Sequence, residues 1–450
     1  MIVQIRIRWI AALFSLALFF CMTTHSVRSQ EQPTETSKQI NINLATMLRA
    51  PQQPTPVASR RSITISDAVA IFLRQNLQLV AARYDIDIAD ADKLTARLRP
   101  NPAISVGFSD IPLSRLSFVN PQTYSYGVSQ TFELGGKRNK RIETANANSE
   151  VTRAEFEMVV WQATNDLKKK FYAVVLAQSL LNLAKENQKT FAEVIKDTAE
   201  LVQAGEIAGL DLTRLEVEQL KFDTDVANSE RDYEVTLRDL RVALGGDYRA
   251  MEIDVSGSLD PEPYNFSLKE LVDEAMAARP DLRAAQLSER AADAAIRLQN
   301  AQRIPDLTLG GGIDQIPSGG STYNFGVGIP LPIHDRDQGE RAKALIEKSK
   351  AQNQQHVVTN QILGDVDKAL VAFQIQKRRV ELYRNGVLTK VDNIQKLTEF
   401  SLKAGESSTL ELLDAIRTRR ETLAAFYQTL FDYQTSLLDI ELATATPLKK

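Results

Sequence analysis

Apolar residues recur at steps of three and four through two long stretches, about 139–203 and 339–403. The first carries Leu167, Phe171, Val174, Leu181, Ile195 and Val202; the second carries Ile362, Val366, Phe373, Val380, Tyr383, Val387 and Ile394. Two returning stretches keep the spacing. One has Leu212, Leu215, Phe222, Val226, Tyr233, Leu237 and Leu240; the other has Leu412, Ile416, Leu423, Phe426, Leu430, Tyr433, Leu437 and Ile440. Such sustained steps place one stripe of each helix in a coiled-coil seam. At 1.5 Å per residue each outgoing helix spans about 100 Å. Gly364 or Gly386 is the expected place for a bend in the second. A shorter helical stretch runs from about Ser66 to Arg99, capped by Ser66 or Thr64 and stopped by Pro100 and Pro102. Its counterpart runs from about Ser267 to Ile304, stopped by Pro305.

After each of these proline stops the period changes to two. Ile104, Val106 and Phe108 alternate with Ser105, Gly107 and Ser109, and Tyr124, Tyr126 and Val128 alternate with Ser125, Gly127 and Ser129. Further on, Leu307, Leu309 and Ile313 alternate with Thr308, Gly310 and Gly312. Tyr323, Phe325, Val327, Ile329 and Leu331 then alternate with Asn324, Gly326, Gly328 and Pro330. Four strands follow, at about 102–110, 123–134, 305–313 and 322–333, paired through loops at 111–122 and 314–321. One face is apolar and aromatic, the other small and polar. That pattern suits strands in a lipid bilayer, and equally a half-buried sheet in a soluble protein. Four strands cannot close a barrel, and lipid tolerates no open edge, so a lipid-spanning sheet must be completed by other chains.

The same order of elements occurs twice. Leu79, Asp90, Pro102 and Gly107 match Leu282, Asp293, Pro305 and Gly310 at one offset. Ala204-Gly205-Glu206, ahead of Asp211, matches Ala404-Gly405-Glu406, ahead of Glu411 and Asp414. Each glycine interrupts a long helical run, so each copy predicts the tip of a helical hairpin. The expected division is a first repeat at 62–245, an inter-repeat segment at 246–266 with a short strand near Ile253, a second repeat at 267–445, and a tail at 446–450. Gly310-Gly311-Gly312 lies in a strand and reads as close packing or a bulge.

Leu, Ala, Glu, Lys, Arg and Gln dominate, which agrees with a largely helical chain. Arg6 and Arg8 precede an apolar run from Trp9 to Phe20, the form of a signal peptide ending near Ser29. Its removal takes the formal charge from −3 to −6, since residues 1–29 hold three arginines and no acid. Residues 30–61, rich in Gln, Thr and Pro, predict a disordered leader. The only cysteine, Cys21, follows residues too bulky for a good lipoprotein signal, so simple cleavage is expected. There is then no disulfide. With only His334 and His356 left, no metal site of ordinary ligands is expected, although His334-Asp335-Arg336-Asp337 groups candidates at a junction where acids cap helices. Phosphate loops, nucleophile elbows and paired helical histidines are absent, so neither catalysis nor a cofactor is expected. No basic face suits nucleic acid.

The leader-like start, the duplicated helix-strand-strand-long helix-tip-helix unit and the two Ala-Gly-Glu tips together resemble the TolC family of outer-membrane efflux channels, over about residues 62–445. Thr131-Phe132-Glu133-Leu134-Gly135-Gly136-Lys137-Arg138 and Ile253-Asp254-Val255-Ser256-Gly257 look most like its cobalt-zinc-cadmium resistance branch. The resemblance implies a mainly α fold with a β part. It implies a homotrimer whose twelve strands form a barrel in outer-membrane lipid, above a periplasmic α-helical barrel. The chain would be the exit duct for substrates, with heavy-metal cations as candidates, delivered by a periplasmic adaptor and an inner-membrane pump of the RND type. It implies that Gly205, Glu206, Gly405 and Glu406 belong to the adaptor-docking tips. It also implies that Asp211, Glu411 and Asp414 line the channel aperture, where Leu402 and Ser407 replace a tyrosine and an arginine that lock better-known members. Glu411 and Asp414, three apart, share a helix face. Asp211 and Glu411 also fit as acids that stabilise a helix start. A periplasmic coiled-coil adaptor or scaffold is the alternative, although one hairpin between β-rich domains would be usual there.

Overall fold

The computed structural model describes residues 61–109, 123–205, 208–246, 252–316, 319–404 and 406–448. The expected signal peptide with Cys21, nearly all of the leader, the 111–122 loop, Glu206 and Gly405 lie outside the described residues. Strand β1, Arg61–Ile63, opens the fold and takes in the residue expected to end the leader. It pairs in parallel with β4, Ile253–Val255, the short strand expected between the repeats.

Each repeat begins with a broken helix rather than the single one expected. The first is α1, Ile65–Gln75, then α2, Leu77–Arg97. Thr64 caps α1 in a full capping box with Asp67. Asn76 ends α1 and starts α2: its Oδ1 accepts from the Leu79 N–H at 3.0 Å and its Nδ2 donates to the Ala243 carbonyl at 2.8 Å. The second repeat breaks at the matching place, between α5, Leu268–Ala278, and α6, Pro280–Gln302. Pro280 has no N–H to continue α5 and sits well in a first helical turn. Arg279, buried at the break, donates to Asp281 and, at 3.3 Å, to the Ala443 carbonyl. The two breaks thus dock on the ends of the two returning helices.

Strands β2, Ala103–Ser109, β3, Thr123–Phe132, β5, Leu307–Ile316, and β6, Gly320–Gly328, form one antiparallel sheet in that order. Two bounds correct the expectation. β5 runs on through Ile316, so Asp314 is a strand residue rather than part of the loop. β6 ends at Gly328, because Pro330 and Pro332 offer no N–H to a ladder. The three glycines of β5 stay in regular register, without a bulge. Close packing accounts for Gly312, where a Cβ would lie 2.6 Å from the Tyr126 carbonyl oxygen.

The register sorts the side chains cleanly. Val106 faces Tyr126, Tyr126 faces Ile313, and Ile313 faces Tyr323; Ile104 faces Val128, Val128 faces Gly311, and Gly311 faces Phe325. Directly opposed residues share a face. One face therefore gathers the aliphatic and aromatic residues, and Ile104, Val106, Phe108, Tyr126, Val128, Tyr323, Phe325 and Val327 all stand exposed on it.

Below the sheet run α3, Lys137–Gln203, and α4, Gly209–Leu244, in the first repeat. The second has α7, Gln338–Leu382, a π turn at Tyr383–Val387, α8, Leu388–Lys403, and α9, Thr409–Thr444. α3 is unbroken over 67 residues, about 100 Å. The second outgoing helix bends at Gly386, whose φ is +116°, and not at Gly364. Asp337, ahead of α7, has a left-handed backbone and makes no side-chain cap, against the expectation for that junction. Next to the sheet, α2 packs on α3, α3 on α6 and α6 on α7, repeating the strand order. Below, α4 packs on α3, α3 on α9, and α9 on α7 and α8.

The main core lies at mid-length, around β1, β4 and the helix breaks. Phe72, Phe171, Val174, Leu240, Ile253, Leu271, Ile362, Phe373, Tyr433 and Ile440 meet there. Of the expected seam positions, Val387 and Ile394 are exposed instead. They follow the bend, on the edge of the helical row. Among the described residues no helix is long and apolar enough to cross a membrane.

Candidate functional site

A smaller second core ties the two hairpins together near their tips. It joins Phe191 of α3, Leu215 and Phe222 of α4, Leu402 of α8, and Leu412 and Ile416 of α9. Phe191 and Phe222 stack at 4.3 Å between ring centres. Leu402, at the position where a tyrosine lock was the family expectation, is buried here and contributes packing.

The tips themselves follow from helix-ending chemistry. Gly205 has φ +77°, a backbone that side chains with a Cβ resist, and nothing crowds its Cα. Its N–H donates to the Val202 carbonyl at 3.1 Å. At the second tip the Glu406 N–H reaches back to the Ser401 carbonyl at 2.9 Å, the bond that closes a helix C-terminus. Ser408 then starts α9 in a capping box with Glu411.

The three expected aperture acids occupy different settings. Asp211 lies in the first turn of α4 and accepts a hydrogen bond from Arg214 at 3.2 Å. The Glu411 carboxylate accepts from the Ser407 hydroxyl at 2.6 Å and from the Ser408 N–H at 3.2 Å. Those two donors hold its carboxyl below the usual range, so it is charged at neutral pH. Ser407, where the family expectation was an arginine, thus braces an acid. Asp414 is exposed one turn further along α9 and makes no hydrogen bond among the described residues. The Asp414 charge acts on Arg417, whose pKa is raised mainly by its hydrogen bond to Glu421 and in smaller part by Asp414. Glu411 and Asp414 share the exposed face of α9, while Leu412, Ala415 and Ile416 take the buried one. No hydrogen bond joins Asp211 to either acid among the described residues.

A set of cross-hairpin contacts escaped the sequence reading. Arg420 of α9 donates to Asp225 of α4 at 2.7 Å, and its guanidinium lies 5.4 Å from the centre of the Phe222 ring. Lys403 of α8 pairs with Asp197 of α3 at 2.8 Å. Arg419 bridges Asp392 of α8, at 2.7 Å, and Glu186 of α3, at 3.7 Å. The Lys403 pair is mostly exposed and contributes little, whereas the Arg420 guanidinium is shielded by the ring it stacks on. A charge run in a coiled coil gives no signal of which partner it will meet, so nothing in the chain marked these pairs.

Among the described residues no three His, Cys, Asp or Glu side chains group as metal ligands.

Comparison with known proteins adds three kinds of likeness. The profile of the family described as "Outer membrane efflux protein" matches residues 69–246 and 271–446, one segment per repeat. The chain is 25% identical to the cobalt-zinc-cadmium resistance protein CzcC of Cupriavidus metallidurans, over 79% of this chain and 84% of that protein. Its fold is similar to that of a membrane protein from Pseudomonas aeruginosa, at TM-score 0.71 and 19% identity, covering 88% of this chain and 96% of that one. It is also similar to the channel-forming protein CusC, at TM-score 0.70 and 18% identity, covering 89% and 98%.

Proposed function

Because the chain belongs to the outer membrane efflux protein family, we propose that it is the exit duct of a tripartite export machine. A periplasmic adaptor and an inner-membrane pump of the RND type supply the substrate. The observation that carries this reading is the sheet. Its apolar face is exposed along all four strands, and β2 and β6 have no outer strand partner among the described residues. Lipid accepts such a face and rejects such edges. Repeating the chain three times, with β6 of one copy beside β2 of the next, gives twelve strands and removes every edge. The helical row has matching free edges at α2 and α7, so the same operation closes a tunnel below the barrel. With the family match in hand, the soluble scaffold alternative has no support.

The tips at Gly205–Glu206 and Gly405–Glu406 would meet the adaptor, and Asp211, Glu411 and Asp414 would ring the aperture. Glu411 is already committed to its cap, so Asp414 is the acid freest to face passing ions. Likeness to the cobalt-zinc-cadmium resistance protein CzcC supports heavy-metal cations as the substrate class. A deletion strain tests this reading: it should lose tolerance to cobalt, zinc or cadmium and regain it with the full chain. Unchanged tolerance to all three removes the metal assignment.

The aperture is tested by the double variant Glu411→Gln, Asp414→Asn. Glutamine keeps the capping box, so the helix start should survive. Crowded carboxylates at a constriction favour cations. In planar bilayers the variant should therefore show a weaker cation preference, while Glu406→Gln should not. Wild-type preference in the double variant would reduce these acids to helix-start residues.

A further inference from the structure

Among the described residues, the polar face of the sheet carries one charge. Opposed residues on that face are Ser105 and Gly127, Ser129 and Gly310, Ser125 and Asp314, and Asp314 and Thr322. Ala103, Gly107, Ser109, Thr123, Thr131, Thr308, Gly312, Asn324, Gly326 and Gly328 complete most of it by alternation. Among the described residues of these four strands there is no Lys, Arg or His on either face, and Asp314 is the only carboxylate. Neutral groups hold it. Asn324 donates its Nδ2 to Asp314 Oδ2 at 2.9 Å, and Ser125 lies directly across the ladder. Among the described residues no cation pairs with it. Asp314 also sits near the free end of the sheet: β5 leaves α6 at Leu307 and turns just after Ile316.

From this placement we propose that Asp314 is a specificity-determining residue of the exit duct, a cation-selecting charge inside the barrel near its outer mouth. The inference rests on the channel reading above. It is separate from the aperture, which lies at the other end of the long helices. In a twelve-stranded barrel with strands about 4.8 Å apart and tilted about 40°, the backbone lies roughly 12 Å from the axis. Among the described residues, the neighbours of Asp314 on that face are the small Ser125, Gly312 and Thr322 and the Asn324 that holds it. Three copies put every point at that level within about 12 Å of a carboxylate. The Debye length is about 30 Å in 0.01 M salt and about 3 Å in 1 M salt. The preference set by Asp314 is therefore strong in dilute salt and vanishes in concentrated salt.

The test is Asp314→Cys in planar bilayers, read by reversal potential under a dilute potassium chloride gradient. The Cys variant should show at least a twofold lower ratio of potassium to chloride permeability than the parent chain. A negatively charged methanethiosulfonate added from the barrel side should restore that ratio, and a positively charged one should push it toward chloride. The parent chain treated with the same reagents is the control for Cys21. Asp314→Asn, which keeps size and hydrogen bonding, should match the unmodified Cys variant. Unchanged permeability ratios in both variants, with thiol labelling verified by mass, overturn the role of Asp314. Failure of the parent chain to form any channel instead overturns the reading on which it rests.

Discussion

Val128→Arg is expected to abolish assembly. Val128 stands mid-strand in β3, exposed on the apolar face, opposite Ile104 on one side and Gly311 on the other. Arginine on the lipid face near the bilayer midplane costs about 2–4 kcal/mol. A symmetric trimer multiplies that cost by its number of chains. No acid lies on the apolar face of the described strands to accept the guanidinium. Heat-resistant trimers in an outer-membrane fraction, seen on gels without boiling, are the readout. They should disappear for Val128→Arg and persist for Val128→Ile. Ser129→Arg, one residue along and on the other face, should be tolerated far better, because in the proposed barrel that face meets water rather than lipid. Normal trimer yield from Val128→Arg would mean that the exposed face does not meet lipid.

Loss of the Arg420 clamp should make the duct open more easily. α3 is one unbroken helix, whereas the second hairpin carries a π turn at Tyr383–Val387. The second hairpin thus has a bend that the first lacks, and contacts between the hairpins hold α9 against α4. Arg420 is the contact with two partners on α4, Asp225 and the Phe222 ring. Together these contribute about 1–2 kcal/mol per chain, after allowing for partial exposure. Arg420→Ala should raise resting conductance several-fold in planar bilayers and sensitise cells to bulky antibiotics. Arg420→Lys should lie between, since an ammonium keeps the charge but loses the flat stacking surface. The tip region of each chain should stay folded, because the apolar core of Phe191, Leu215, Leu402 and Leu412 remains. Wild-type conductance in Arg420→Ala would assign the closed state to that core alone.

Periodicity by itself determined the types of the main elements and their duplication. The step of three and four along Leu167, Phe171 and Val174 reports a buried helical stripe wherever its partner is, and the three residues are indeed buried. The step of two along Tyr124, Tyr126 and Val128 reports two unlike faces without saying which strand lies beside them. Gly205 was legible for the same reason, since a left-handed turn is a local demand on one residue. Tertiary structure decided what depends on distant partners. Pro280 marks one helix break locally, but only the Ala243 and Ala443 carbonyls, brought in by distant helices, dock Asn76 and Arg279 at the two breaks. Asp314 became a strand residue because β3 and β6 offered it a ladder on both sides. Arg420 found Asp225, 195 positions away, and no local pattern selects one acid among the many on a charged helix. Local rules govern one face or one turn at a time, whereas a clamp, a register or a lumen charge exists only after two separate segments have approached.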